Sequence, residues 1–192
     1  MTKYHIYLFR HGQTYFNKNK MFTGWKESNL TSLGIKQAKA LGKMLKDKQI
    51  DIAFDNGLSR SKRTLKEVLI YHPECKKTIT DKRMIERSYG KLEGLRHADI
   101  ISKYGFDQFN KWHRGFNDRP PKGESFADVE KRVVSFIKDL KILIKKKKIN
   151  VAISASGNSI RLFRKIMEKK SKNQVVKWKI SYDLYFEYVA ED

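Results

Sequence analysis

The sequence predicts an α/β fold: a three-layer sandwich with a mostly parallel central sheet flanked by helices, and an irregular helical insertion at about 81–124 covering one end of the sheet. Two observations carry this expectation. Three short apolar runs each give way to polar turn residues and then to a helical pattern, which is how strands alternate with helices in layered folds. The chain has 192 residues, 40% of them hydrophobic. That is enough for one good core, so a single domain over 1–192 is expected.

The elements follow in order. "YHIYLF" (4–9) is apolar enough to be buried on both faces, as parallel strands are. Leu33, Ala38, Leu41 and Leu45 recur on one helical face between 32 and 48. "DIAF" (51–54) reads as a second strand, leading through "DNGLSRS" to a helix over 59–71. The stretch 81–124 holds Gly90, Gly94, Gly105, Gly115, Pro120, Pro121 and Gly123, and is too irregular for a core layer. A long helix over 125–147 is marked by Val129, Val133, Phe136, Ile137, Leu140 and Ile144, with Ser125 and Asp128 resembling a capping box. "INVAIS" (149–154) is the third buried strand. It runs into the small, polar "SGNS" and a further helical pattern, and "SYDLYFEYVA" (181–190) reads as a last strand.

Composition narrows the function classes. The net charge is +21, from 42 Lys and Arg against 21 acids. Such a surface attracts nucleic acid or a small, highly charged anion. No RNA-binding signature, zinc-finger spacing or basic–aromatic repeat accompanies it, and the "KKKK" at 145–148 fits a helix C-terminus. Nucleic acid is therefore not the expected partner. No apolar stretch approaches the roughly 20 residues of a bilayer span, and "MTKYHIYLF" does not read as a signal peptide. Cys75 is the only cysteine, which excludes an internal disulfide and suits a reducing, cytoplasmic setting. His72 and Cys75 form a lone H-x-x-C pair, so no metal is expected, and no P-loop pattern is present. A homo-oligomer is left open.

Ligands in open α/β sheets bind beyond the carboxyl ends of the strands. Those ends hold Arg10-His11-Gly12, then Arg60 at a helix start, then Ser156 to Ser159. Arginine forks and the free N–H groups of helix starts suit phosphate. An imidazole beside them is a phosphate donor or a nucleophile. Singly, each of these is an ordinary turn or surface residue; three strand ends carrying them together point to one site.

The same residues carry a resemblance. "LFRHGQTYFN", "FTGWKESNLTSLGIKQA", "LSRSKRT", "RMIERSYGKLEGL", "ISKYGFDQFNKWHRGFNDRPP", "GESFADVEKRV" and "SGNSIR", in this order, resemble the histidine phosphatase superfamily, and within it the cofactor-dependent phosphoglycerate mutases. The resemblance runs from about residue 4 to 165. It implies that His11 becomes phosphohistidine, that Arg10 and Arg60 clamp the phosphoryl oxygens, and that Asn17, Thr23 and Gly24 line the same pocket. It implies Glu86 as proton donor and acceptor for the substrate oxygen. Arg87, Tyr89 and Arg114 would face the rest of the substrate, with Gly157 and Asn158 at the phosphate. The partner would be a small phosphorylated substrate, with 2,3-bisphosphoglycerate as phosphoryl primer and no metal.

Three departures from that pattern matter. The family carries a second histidine at the third strand end, where this chain has Ser156; a hydroxyl donates one shorter, uncharged hydrogen bond, so slowed turnover is expected. No other histidine is an obvious substitute: His5 lies within the first strand and His72 at a helix end. His97 and His113 stand where the mutases carry lysine and arginine, and should still donate to substrate. The chain lacks most of the mutase segment after "RPP" and ends soon after the last strand, which predicts a more open pocket. A mutase is the first reading. A phosphomonoesterase on the same scaffold is the second, and a catalytically silent anion- or nucleic-acid-binding protein the third.

Overall fold

The computed structural model describes residues 3–190. In chain order the elements are β1 (Tyr4–Arg10), α1 (Tyr15–Lys18), α2 (Ser32–Leu45), β2 (Ile52–Asp55), α3 (Ser59–Leu69) and β3 (Lys77–Thr80). Two 3-10 turns follow, at Lys82–Met84 and Gly90–Leu92. Then come α4 (His97–Tyr104), α5 (Phe106–Arg114), α6 (Phe126–Lys147), β4 (Val151–Ala155), α7 (Gly157–Met167), α8 (Lys172–Val175) and β5 (Tyr185–Ala190). The sheet order is β3-β2-β4-β1-β5. The first four pair in parallel, and β5 runs antiparallel to β1.

Strand alternation divides the core. Ile6 and Leu8 point to the side of α6 and α7, packing with Val133, Phe136, Leu140, Ile160 and Phe163. Tyr7 and Phe9 point to the other side, against Leu41, Leu45, Leu65 and Val68 of α2 and α3. β4, at the centre, is buried at every position, so its run is apolar rather than alternating. The layered α/β sandwich is as expected. The capping box forms: Ser125 accepts from the Asp128 N–H while the Asp128 carboxylate accepts from the Ser125 N–H. The insertion folds as the two 3-10 turns with α4 and α5. It has its own small core of Phe22, Tyr89, Leu92, Ile100 and Phe109. No helix of the described residues is long and apolar enough to cross a membrane.

Some local expectations fail. β3, "KTIT", has no apolar run; it is mostly exposed at the sheet edge and exists through its parallel pairing with β2. The helices expected to end at 48 and 71 stop at Leu45 and Leu69, and the last strand begins only at Tyr185. Leu33, assigned to the buried face of α2, is 49% exposed. The inward position of that first turn belongs to Gly34, because another backbone occupies the space. A Cβ on Gly34 would lie 2.1 Å from the Gln13 carbonyl oxygen, and one on Gly12 2.2 Å from the Gly34 carbonyl oxygen. Thr31 caps the helix and donates its N–H to the same Gln13 carbonyl. The start of α2 is thus pressed onto the loop that follows β1. Gly34→Ala should lower the unfolding free energy by about 1–3 kcal/mol and shift that loop. Urea unfolding measures the first effect, and activity per folded molecule reports the second.

Candidate active site

The parallel register of β1 on β4 places Arg10 opposite Ala155. The next residue on each strand then lies side by side: His11 donates its backbone N–H to the Ala155 carbonyl at 3.1 Å, beside Ser156. Gly12 donates its N–H to Thr64 Oγ1 of α3 at 3.0 Å. The middle of α3, through Thr64, and the start of α7 therefore both meet the end of β1.

The His11 imidazole is 2% exposed. Its Nδ1 lies 2.8 Å from the Gly12 carbonyl oxygen. A carbonyl can only accept, so Nδ1 carries the proton and Nε2 keeps its lone pair. Burial, then the charges of Arg60 and Arg10, hold the imidazole pKa well below its ordinary value. The neutral, nucleophilic form is thereby the resting form at neutral pH.

Arg60, in the first turn of α3, is 1% exposed. Its Nη1 donates to the Lys26 carbonyl at 2.9 Å and its Nη2 to the Gly24 carbonyl at 2.7 Å. Gly24 has φ +52°, and a Cβ there would strike the Glu93 carboxylate, so the turn presenting this carbonyl needs glycine. Arg10 donates through Nη1 to the Ile180 carbonyl at 2.8 Å and lies over the Tyr182 ring at 4.0 Å. The Nε of Arg10, the Nε of Arg60 and Thr23 Oγ1 are buried with no partner among the described residues. Three unmet polar groups in so positive a place fit an anion with several oxygens.

A cavity of about 550 Å³ opens over these groups. Arg10, Asn17, Thr23 and Gly24 line one side, Gly157 and Asn158 another, and Glu86, Tyr89, His97, His113 and Arg114 the insertion side. His11, Arg60 and Ser156 are buried next to that lining. Glu86 Oε1 accepts from the backbone N–H groups of Arg87 at 2.7 Å and Asn158 at 3.3 Å. Its Oε2 has no partner among the described residues, which leaves it for a ligand.

The profile of the histidine phosphatase superfamily (branch 1) matches residues 6–184. The chain belongs to the histidine phosphatase superfamily. It is 39% identical over 178 residues to a 2,3-bisphosphoglycerate-dependent phosphoglycerate mutase of Rhizobium meliloti, covering 90% of this chain and 83% of that one. It is 37% identical over 176 residues to a phosphoglycerate mutase of Schizosaccharomyces pombe, with coverage of 90% and 83%. Among solved structures, Bacillus stearothermophilus YhfR superposes with a TM-score of 0.84 at 22% identity, covering 95% of this chain and 89% of that one. Phosphoglycerate mutase from Bacillus anthracis superposes with a TM-score of 0.79 at 21% identity, covering 98% and 88%. The two structures share the fold. The chain is an enzyme of this mutase and phosphatase family.

Within a histidine phosphatase fold, several side chains stand elsewhere than their sequence suggests. Arg87 does not face the cavity. It is fully buried between the rings of Tyr89 and Phe126, at 4.5 and 4.4 Å, and its Nη2 donates to the carbonyls of Trp112 at 2.6 Å and His113 at 3.2 Å. It fixes the end of α5, which carries His113 and Arg114. The pocket is also walled where an opening was expected: the irregular chain between α8 and β5 contributes Lys179, Ile180, Ser181 and Tyr182. Arg161, unassigned from sequence, lines the cavity and donates to Asn158 Oδ1 and the Trp178 carbonyl, both at 2.7 Å. In sequence it is the last residue of the "SGNSIR" motif, with no role assigned to it. Arg132 of α6 donates to the carbonyls of Arg83, Ile85 and Glu86 and so positions the general-acid candidate; in sequence it is one more exposed-face cation. No group of three metal-ligand side chains occurs among the described residues.

His97 and His113 are placed together, ring centroids 5.1 Å apart, and both pack against Phe22 and Phe109. Burial, then the charge of Arg114, depresses them to about 4 and about 2. Both are neutral when folded at neutral pH. The unfolded chain binds protons on them as pH falls through about 6.5, so their contribution to stability is present above that pH and is lost progressively toward pH 4. Unfolding free energy should fall over this window. His97→Gln should make the fall shallower by up to one bound proton, measured by urea unfolding at a series of pH values.

Proposed function

We propose that the chain transfers phosphoryl groups through a phosphohistidine at His11, in the 2,3-bisphosphoglycerate-primed interconversion of 3- and 2-phosphoglycerate. The observation that carries this reading is the presence of two cationic centres in one cavity. Arg10 stands beside His11, and Arg114 and Lys20 stand close enough to His97 to depress it. A ligand with two separated anionic groups engages both. Phosphoglycerates and their bisphosphate have that form, and curated relatives named as bisphosphoglycerate-dependent mutases support the choice.

The residues have distinct parts in this reaction. The Nε2 lone pair of His11 forms the N–P bond as the ester P–O bond breaks. The departing oxygen keeps that electron pair and takes a proton from Glu86. Transfer back to a substrate hydroxyl reverses both steps, with Glu86 accepting the proton. Arg10 and Arg60 hold the phosphoryl oxygens throughout. When bound, the bisphosphate supplies the phosphoryl group that primes His11. One observation favours a phosphomonoesterase as the second reading: with His97 and His113 neutral, the outer centre carries less charge than lysine and arginine would give it.

Exposure to 2,3-bisphosphoglycerate should leave an acid-labile phosphoryl group on His11, located by mass spectrometry under alkaline conditions. An adduct on another residue would overturn the mechanism. Ser156 gives the transition state an uncharged donor in place of an imidazole. Ser156→His should therefore raise kcat by roughly 10²–10³ while changing KM little, because ground-state phosphate keeps both arginines. Steady-state kinetics on phosphoglycerates and simple monoesters, beside a melting curve, test this. A folded variant without a gain would show that Ser156 is not limiting.

A further inference from the structure

Ser156 is the N-cap residue of α7, with the extended backbone of a cap (φ −105°, ψ 157°), yet its side chain caps nothing. A serine there ordinarily accepts an N–H of its own helix, worth about 0.5–2 kcal/mol. Instead Ser156 Oγ accepts from Asn56 Nδ2 at 2.9 Å, and both residues are fully buried. Asn56 follows β2, and within "DNGLSRS" it reads as a turn residue only.

The direction of this bond is fixed by the rest of the Asn56 amide. Its Oδ1 accepts the Leu58 N–H at 3.2 Å, and its Nδ2 also donates to the Met84 carbonyl at 3.3 Å. An N–H needs an oxygen opposite it and a carbonyl needs an N–H, so the amide has one permitted orientation. Nδ2 therefore faces Ser156, and Ser156 Oγ must accept. Its own hydrogen has no acceptor among the described residues, and the neighbouring residue across the β1–β4 register is His11.

We propose that Asn56 is a positioning residue for phosphoryl transfer: by occupying Ser156 Oγ as a donor, it leaves the Ser156 O–H to donate to a phosphoryl oxygen at His11. The proposal rests on the phosphohistidine reading for its kinetic consequence, but not for its binding consequence. No proton leaves the serine; the hydroxyl acts as a neutral, pre-aimed donor.

Asn56→Asp tests it with little change of shape. A carboxylate would accept from Ser156, turning the hydroxyl hydrogen away from the phosphoryl group. Asn56→Ala is the uncharged control, and melting curves establish that each variant folds. Asn56→Asp and Ser156→Ala should each lower kcat on the order of 10²-fold, with KM little changed in Ser156→Ala and raised in Asn56→Asp by its added charge. The double variant should be no slower than the worse single, since both remove one donor. Independently of turnover, the ratio of orthovanadate to inorganic phosphate affinity should fall in Asn56→Asp and in Ser156→Ala by similar factors. Vanadate adopts the five-coordinate shape of the transition state and phosphate does not, while added negative charge weakens both. Losses that multiply in the double variant, or an unchanged affinity ratio, would overturn the proposal. If the wild-type chain turns over no phosphate ester while the two variants show the expected fall in ratio, the reaction assigned above is overturned and Asn56 keeps its role.

Discussion

The guanidinium groups around the cavity are held by main-chain carbonyl oxygens. Arg60 is held by Gly24 and Lys26, Arg10 by Ile180, Arg114 by Val176 and Arg161 by Trp178. None of the four forms a salt bridge among the described residues. A carbonyl fixes where a guanidinium sits without cancelling its charge, whereas a carboxylate would do both. The charge is thus kept for a ligand. The cost appears in neighbouring groups: Arg161 is pushed down to about 9, first by burial and then by Arg114 and Arg10, and His11 is held neutral.

This arrangement explains why so much of the chain away from the cavity bears on it. The carbonyls come from the loop after α1 and from the irregular chain between α8 and β5. Each segment must be set by its own packing. The small core of Phe22, Leu92, Ile100 and Phe109 sets the insertion, and Arg87 ties the end of α5 to it through Trp112 and His113. The Gly12–Gly34 contact does the same for the loop after β1. These contacts determine where the binding groups stand.

Ser156 and Asn56 show the same economy in neutral groups. A residue that local chemistry would use as a helix cap is turned to a partner 100 positions away in sequence. The α7 N-terminus forgoes its side-chain cap, and its Asn158 N–H is instead directed to the Glu86 carboxylate. The end of β4 thereby touches the candidate acid, the nucleophile's strand and the turn after β2.

The sequence by itself determined the layered α/β class, the three buried parallel strands and the strand ends where Arg10, His11, Arg60 and Ser156 meet. Apolar runs and helical spacing report burial directly, and ligand chemistry sits at fixed points of that topology. The motifs likewise placed Asn17, Thr23, Gly24, Tyr89 and Asn158 at the cavity. Only the tertiary structure decided the rest. β3 has no hydrophobic signal because an exposed edge strand is made by its neighbour's hydrogen bonds. Leu33 faces solvent because the inward position of that turn is Gly34, pressed onto the Gln13 backbone. Arg87 and Arg161 exchange the roles their surroundings in sequence suggest, one turned behind the wall and the other into it. Asn56 becomes part of the site through a bond across 100 residues. Which carbonyl holds a cation, and which face of a residue meets the cavity, are set by contacts between distant segments, and local sequence does not encode them.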